Sequence, residues 1–167
     1  GHIITWQYRK DWTEPTFEWE IFVLAGDPTV PAHGSDIDGD KFGSPDGIYV
    51  APSGRLWIET DVSTSTINTG AYAGFGNKQM LCANPETGEI RRFLVGPNQC
   101  EITGVFVTPD ERTMFVGIQH PGETADESPN DPANPKRFSP WPDGPAGARP
   151  RSSCIVITKD DGGPIGS

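Results

Sequence analysis

The chain has 167 residues, 34% of them apolar, and 23 acidic against 13 basic side chains give it a formal charge of −10. Its apolar runs fall far short of the about 20 residues that a transmembrane helix needs. The 20 glycines and 17 prolines break any long helix and follow no three-residue period, so a helical bundle and collagen are excluded as well. Five Trp and eight Phe are enough to bury a core, and the acidic balance argues against a nucleic-acid partner.

Gly1-His2 opens the chain without an initiating Met, as a tag scar would, and the expectation is a piece cut from a longer protein. The first stretch in chain order with strand character is Glu18 to Ala25, the outer strand of a sheet. Asp36-Ile-Asp38-Gly-Asp40 follows and has the start of a calcium loop. The EF-hand spacing fails, because Lys41 stands where the glycine belongs and Gly47 where the last glutamate belongs. An irregular cation loop and a solvated acidic loop both remain open.

From residue 46 the dominant period is two. Ile48 and Val50 alternate with Tyr49 and Ala51, and Leu56 and Ile58 with Trp57 and Glu59, around the turn Pro52-Ser53-Gly54. A second strand pair, 78–84 and 89–95, closes around Asn84-Pro85-Glu86-Thr87-Gly88. A third, 102–108 and 113–119, turns at Pro109-Asp110-Glu111-Arg112, and a last strand runs over 152–158. Val50-Ala-Pro-Ser-Gly-Arg55-Leu-Trp-Ile58 repeats as Val107-Thr-Pro-Asp-Glu-Arg112-Thr-Met-Phe-Val116. Short strands repeated at such a spacing are the signature of propeller blades.

The fold class is therefore all-β, with antiparallel four-stranded blades, about two of them. The expected divisions are an N-terminal segment 1–41 with the outer strand and the acidic loop, a first blade 42–98, and a second, incomplete blade 99–167. A Pro-rich insertion, 121–150, interrupts the second blade, and a Ser/Thr/Gly-rich one, 62–77, the first. Propellers need about 4–8 blades to close. An open ring has unpaired edges, through which copies of the chain could associate.

Four places can carry chemistry. Asp46, in Ser44-Pro45-Asp46-Gly47, precedes an inner strand, where it can face the central channel and hold a cation, or start the strand as an Asx-type turn. Glu101, in Cys100-Glu101-Ile102-Thr103-Gly104, holds the matching place in the second blade, pointing inward with Cys100 packed. His120 is either a ligand or a structural residue near a turn. Arg149 and Arg151, stiffened by Pro150, can grip phosphate through paired hydrogen bonds or simply balance acidic neighbours. No GxSxG, HExxH, P-loop or strand-linked GxGxxG is present, so serine hydrolysis, zinc proteolysis and nucleotide binding have no local support. The cysteines, at 82, 100 and 154, form no CxxC and are too few for a disulfide framework.

Taken in order, Phe42-Gly-Ser-Pro-Asp-Gly-Ile48, Gly54-Arg-Leu-Trp-Ile-Glu-Thr-Asp61, Gly96-Pro-Asn-Gln-Cys-Glu-Ile-Thr-Gly104, Phe115-Val-Gly-Ile-Gln-His-Pro-Gly-Glu123 and Arg149-Pro-Arg-Ser-Ser153 resemble the C-terminal part of the PhoX alkaline phosphatases, over about 42–167. The resemblance implies a six-bladed propeller whose channel mouth holds iron and calcium and splits phosphate monoesters, a small-molecule partner, with no nucleic acid or membrane. It implies export by the twin-arginine route, hence a periplasmic or extracellular parent. By the same resemblance Glu101 is a metal ligand, Asp46 a further member of the cation shell, and Arg151, in preference to Arg149, faces the phosphate. The family can carry an arginine two residues before this glutamate; here that residue is Gln99, an amide that cannot neutralise phosphate charge. Its remaining ligands, a cysteine among them, would lie before Gly1. The expected function is thus a fragment of a metal-dependent phosphatase, inactive alone. The alternatives are a non-catalytic propeller used for binding or as a scaffold, and a calcium-dependent lactonase-like propeller.

Overall fold

The structure, a computed structural model, describes residues 1–123 and 131–167; part of the Pro-rich insertion, 124–130, lies outside the described residues. The described residues form ten strands and two short 3-10 turns. They are β1 (His2–Gln7), β2 (Glu18–Leu24), β3 (Asp38–Gly39), β4 (Pro45–Val50), β5 (Leu56–Thr60), β6 (Gln79–Ala83), β7 (Glu89–Val95), β8 (Glu101–Val107), β9 (Met114–Gln119) and β10 (Ser153–Ile157).

The first blade is the antiparallel meander β4-β5-β6-β7, and the second is β8-β9-β10. Strand β5 is buried along its whole length. Leu56 and Ile58 face a core with Leu81, Ala83, Ile90 and Phe42, while Trp57, on the opposite side, faces Met80, Ile102, Val107 and Met114 between the blades. The period of two along β5 thus feeds two cores at once. Strands β4 and β5 pack against β8, which sets the inner strands side by side.

Two strands depart from the sequence reading. β1 pairs with β2, with Phe22 of β2 the extra residue of a bulge opposite Ile3 and Ile4, and β1 shows no alternation because Ile3 is its one buried residue. β3 adds a fifth, parallel strand beside β7, only two residues long. Gly39 makes that approach feasible: a Cβ there would lie 2.0 Å from the Ile90 carbonyl oxygen. The acidic loop around β3 serves as backbone cap. Asp36 accepts the Leu24 N–H at 2.7 Å, and Asp40 accepts the Arg92 N–H at 2.8 Å. These two carboxylates face different strands instead of converging on one cation.

The insertions are held down. Across 62–77, Phe75 is buried and the Tyr72 hydroxyl lies 2.6 Å from Ser44 Oγ. In 131–150, Ser139 is buried, Trp141 packs on the inter-blade core, and Lys136 Nζ donates to the carbonyls of Pro145 and Gly147.

Candidate active site

Two β-bulges face one another across the inner strands. In β4 the register shifts between Pro45 and Ile48, and in β8 between Thr103 and Phe106. In the sequence repeat the second bulge falls one residue later than the first, and both lie against the Glu59 side chain.

Glu101 begins β8, in register with Gln119 on β9. Gln119 Nε2 donates to Glu101 Oε2 at 2.7 Å, and His120 Nε2 lies 3.2 Å from the same oxygen. The Glu101 side chain is 15% exposed. The His120 backbone has φ +34°, and its N–H donates to Ser152 Oγ at 2.9 Å. Its other ring nitrogen is 3.5 Å from Glu123 Oε2, which also accepts the Thr64 hydroxyl at 3.1 Å. Thr64 belongs to the 62–77 insertion, so that segment reaches the second blade here.

From the first blade come Asp61, just past β5, and Lys78, just before β6. Their charged ends meet at 2.8 Å, with the Lys78 side chain only 2% exposed. Asp61, Thr64, Lys78, Glu101, His120 and Glu123, with Ser63 and Ser65, line an open cleft of about 480 Å³. It carries a buried cation, an oxygen-rich wall and a histidine, and has little apolar surface.

Glu59 lies in β5, opposite the β4 bulge and 3% exposed. Burial pushes its carboxyl up to about 7; the charges of Asp46 and Glu101 push the same way, and the N–H groups of Gly104 and Val105 in the second bulge pull against them. Glu59 Oε1 is buried without a partner among the described residues. Gly47 leaves room for this side chain, since a Cβ at 47 would lie 2.2 Å from Glu59 Oε2.

The residues singled out by sequence are thus dispersed. Glu101 is in the cleft, and Cys100 beside it is fully buried, its thiol pushed up to about 11 by that burial. Asp46 is exposed in the β4 bulge and acts on Glu59 through its field. Arg151 forms a two-pronged pair with Asp143, one arm at 3.0 Å, which holds that carboxyl below its usual range. Arg149 is exposed, and the cleft lining includes neither arginine. Gln99, at φ +54°, lines a neighbouring cleft with Asn68, Asn77, Asn98 and Arg137. Sequence reasoning missed Lys78, Asp61, Glu123 and Glu59. A signal for Glu59 was present: extending the repeat by one residue pairs this glutamate with Gly117.

A carboxylate is a hard donor suited to calcium or ferric iron. Among the described residues, the hydrogen bonds to Glu101 fall on Oε2, so Oε1 is the oxygen that would face a cation. No group of three or more His, Cys, Asp or Glu among the described residues could hold a metal, so Glu101 would bind such an ion only with donors from elsewhere in the protein.

No curated protein matches the chain. Among solved structures it is similar to Pseudomonas fluorescens PhoX in complex with vanadate, a transition state analogue, at 42% identity and a TM-score of 0.79. That match covers 99% of this chain and 27% of the other, so the chain spans about a quarter of its relative's length. A family model described as Alkaline phosphatase PhoX matches residues 1–122. The match takes in the first 41 residues, which the motif resemblance left out, and stops before Arg149 and Arg151. The chain belongs to the PhoX alkaline phosphatase family.

Proposed function

We propose that the protein to which this chain belongs hydrolyses phosphate monoesters with metal ions, and that this segment supplies one wall of its site. The observation that carries the reading is the likeness, over 99% of the chain, to a PhoX solved with vanadate. The cleft at Glu101 supports it chemically.

Glu101 Oε1 would hold a cation, calcium or iron by the family resemblance, with Oε2 tied to Gln119 and His120. A cation bound there supplies polarisation of a phosphoryl oxygen and a lowered pKa for bound water. Lys78 sets a positive charge at the same cleft, where it offsets anionic charge on a substrate in competition with Asp61. Arg151 is next to Ser152, whose hydroxyl accepts the His120 N–H, and it would reach a phosphate only by giving up its pair with Asp143. Asp46 adds negative potential next to Glu59 and completes a cation shell only together with donors from elsewhere in the protein. On the resemblance, we place the parent in the periplasm or outside the cell.

The test uses the full-length protein. Glu101→Gln should lower metal stoichiometry and kcat/KM together. Arg151→Lys should keep the metal and raise KM about tenfold, because a point charge replaces a two-pronged donor. Unchanged metal content and activity in Glu101→Gln would refute the assignment and favour a binding or scaffold role.

A further inference from the structure

We propose that His120 is a positioning residue: backed by Glu123 and Thr64, its ring holds Glu101 by Oε2 so that Oε1 is the oxygen presented to a cation. The proposal rests on the reading of Glu101 as a metal ligand and adds to it how that ligand is held.

The chain pays to place this ring. His120 is a non-glycine residue at φ +34°, a backbone region that costs on the order of 1 kcal/mol. Hydrogen bonds on both sides hold the turn. Glu123 N–H donates to the His120 carbonyl at 3.1 Å, Gly122 N–H to the Asn98 carbonyl at 2.9 Å, and His120 N–H to Ser152 Oγ at 2.9 Å. The result brings the imidazole back over the end of the β8–β9 pair, with Nε2 3.2 Å from Glu101 Oε2.

The far side of the ring is closed as well. Among the described residues Nδ1 is buried with no hydrogen-bond partner, and the Glu123 carboxylate lies 3.5 Å from it. Glu123 is itself tethered by the Thr64 hydroxyl at 3.1 Å. The series Thr64, Glu123, His120, Glu101 thus joins the first-blade insertion to the start of β8. Gln119 donates to Glu101 Oε2 at 2.7 Å, so this one oxygen takes both contacts and the carboxylate plane is fixed. Partners that orient a metal ligand in this way are commonly worth about 10–100-fold in metal affinity. His120 acts through Glu101 and touches no reacting atom.

Calcium alone is the probe, titrated calorimetrically into the chelator-stripped full-length protein, with thermal melting measured alongside. His120→Ala should weaken calcium binding about 10–100-fold at an unchanged melting temperature. His120→Gln, which keeps a donor near the Nε2 position, should recover most of that loss. Thr64→Val should weaken binding in the same direction by less, and Glu101→Gln should abolish it at this site. Should His120→Ala fail to fold, His120→Gln and Thr64→Val carry the test. If Glu101→Gln loses the calcium while His120→Ala, or both remaining variants, bind as wild type, the positioning role is overturned and the ligand assignment survives. If Glu101→Gln binds calcium like wild type, or wild type binds none, the metal reading of Glu101 falls and the positioning role falls with it.

Discussion

Replacing Glu59 with Gln should flatten the stability of this chain between pH 4 and pH 8. The carboxyl titrates at about 7 in the fold, against an ordinary 4.5, and burial is the main cause. Between those two values the folded chain keeps a proton that the unfolded chain has released. Stability therefore falls as pH rises from about 4.5 to about 7 and is level above that. At about 1.4 kcal/mol per pH unit, the carboxyl costs the fold about 3 kcal/mol by pH 8. The amide has no proton to lose. Any cost of its unpaired N–H, about 1–3 kcal/mol, is independent of pH and offsets the whole curve without tilting it. Urea unfolding followed by tryptophan fluorescence reports the difference, with Trp57 buried two residues away. Wild type minus Glu59→Gln should change by about 3 kcal/mol between pH 4 and pH 8. Parallel curves across that range would refute the argument that Glu59 is held protonated by burial between the two bulges.

In acid the opposite sign applies to Asp27, whose carboxyl the Lys41 ammonium, at 2.7 Å, and Thr29 hold well below its usual range. Its contribution is present above the ordinary 3.8 and is lost as pH falls toward the depressed folded value, so wild type should lose stability from pH 4 to pH 2 more steeply than Lys41→Met; parallel losses would sink this. The thiols should react with a disulfide reagent in order of exposure, with Cys154 fast, half-buried Cys82 slower, and Cys100, fully buried and raised to about 11, only after unfolding. Early labelling of Cys100 under native conditions would show that the core between the blades opens.

The turns were legible because their chemistry is local. Pro52-Ser53-Gly54 closes with the Gly54 N–H on the Ala51 carbonyl, and Asn84 caps its own turn by accepting the Glu86 N–H. With the period of two on either side, these turns place β4 through β10 within a residue or two, and the spacing of the copies identifies blades. The motif residues also suffice for the family resemblance. β1 and β3 escaped, since β1 buries Ile3 alone and so has no alternating face, and the two residues of β3 carry no pattern. The site itself was decided in three dimensions. Glu101 could be named from its motif, but not its setting. That setting comes from Thr64, which is 59 residues from Glu123 along the chain, from Lys78, brought to Asp61 by a folded insertion, and from His120, turned by a left-handed backbone. Alternation along β5 puts Glu59 on the same face as Trp57 and says nothing more of it. Only the packing of β8 against β4 and β5 buries it, because alternation assigns a residue to a face of its sheet but does not say whether water or a second sheet lies against that face.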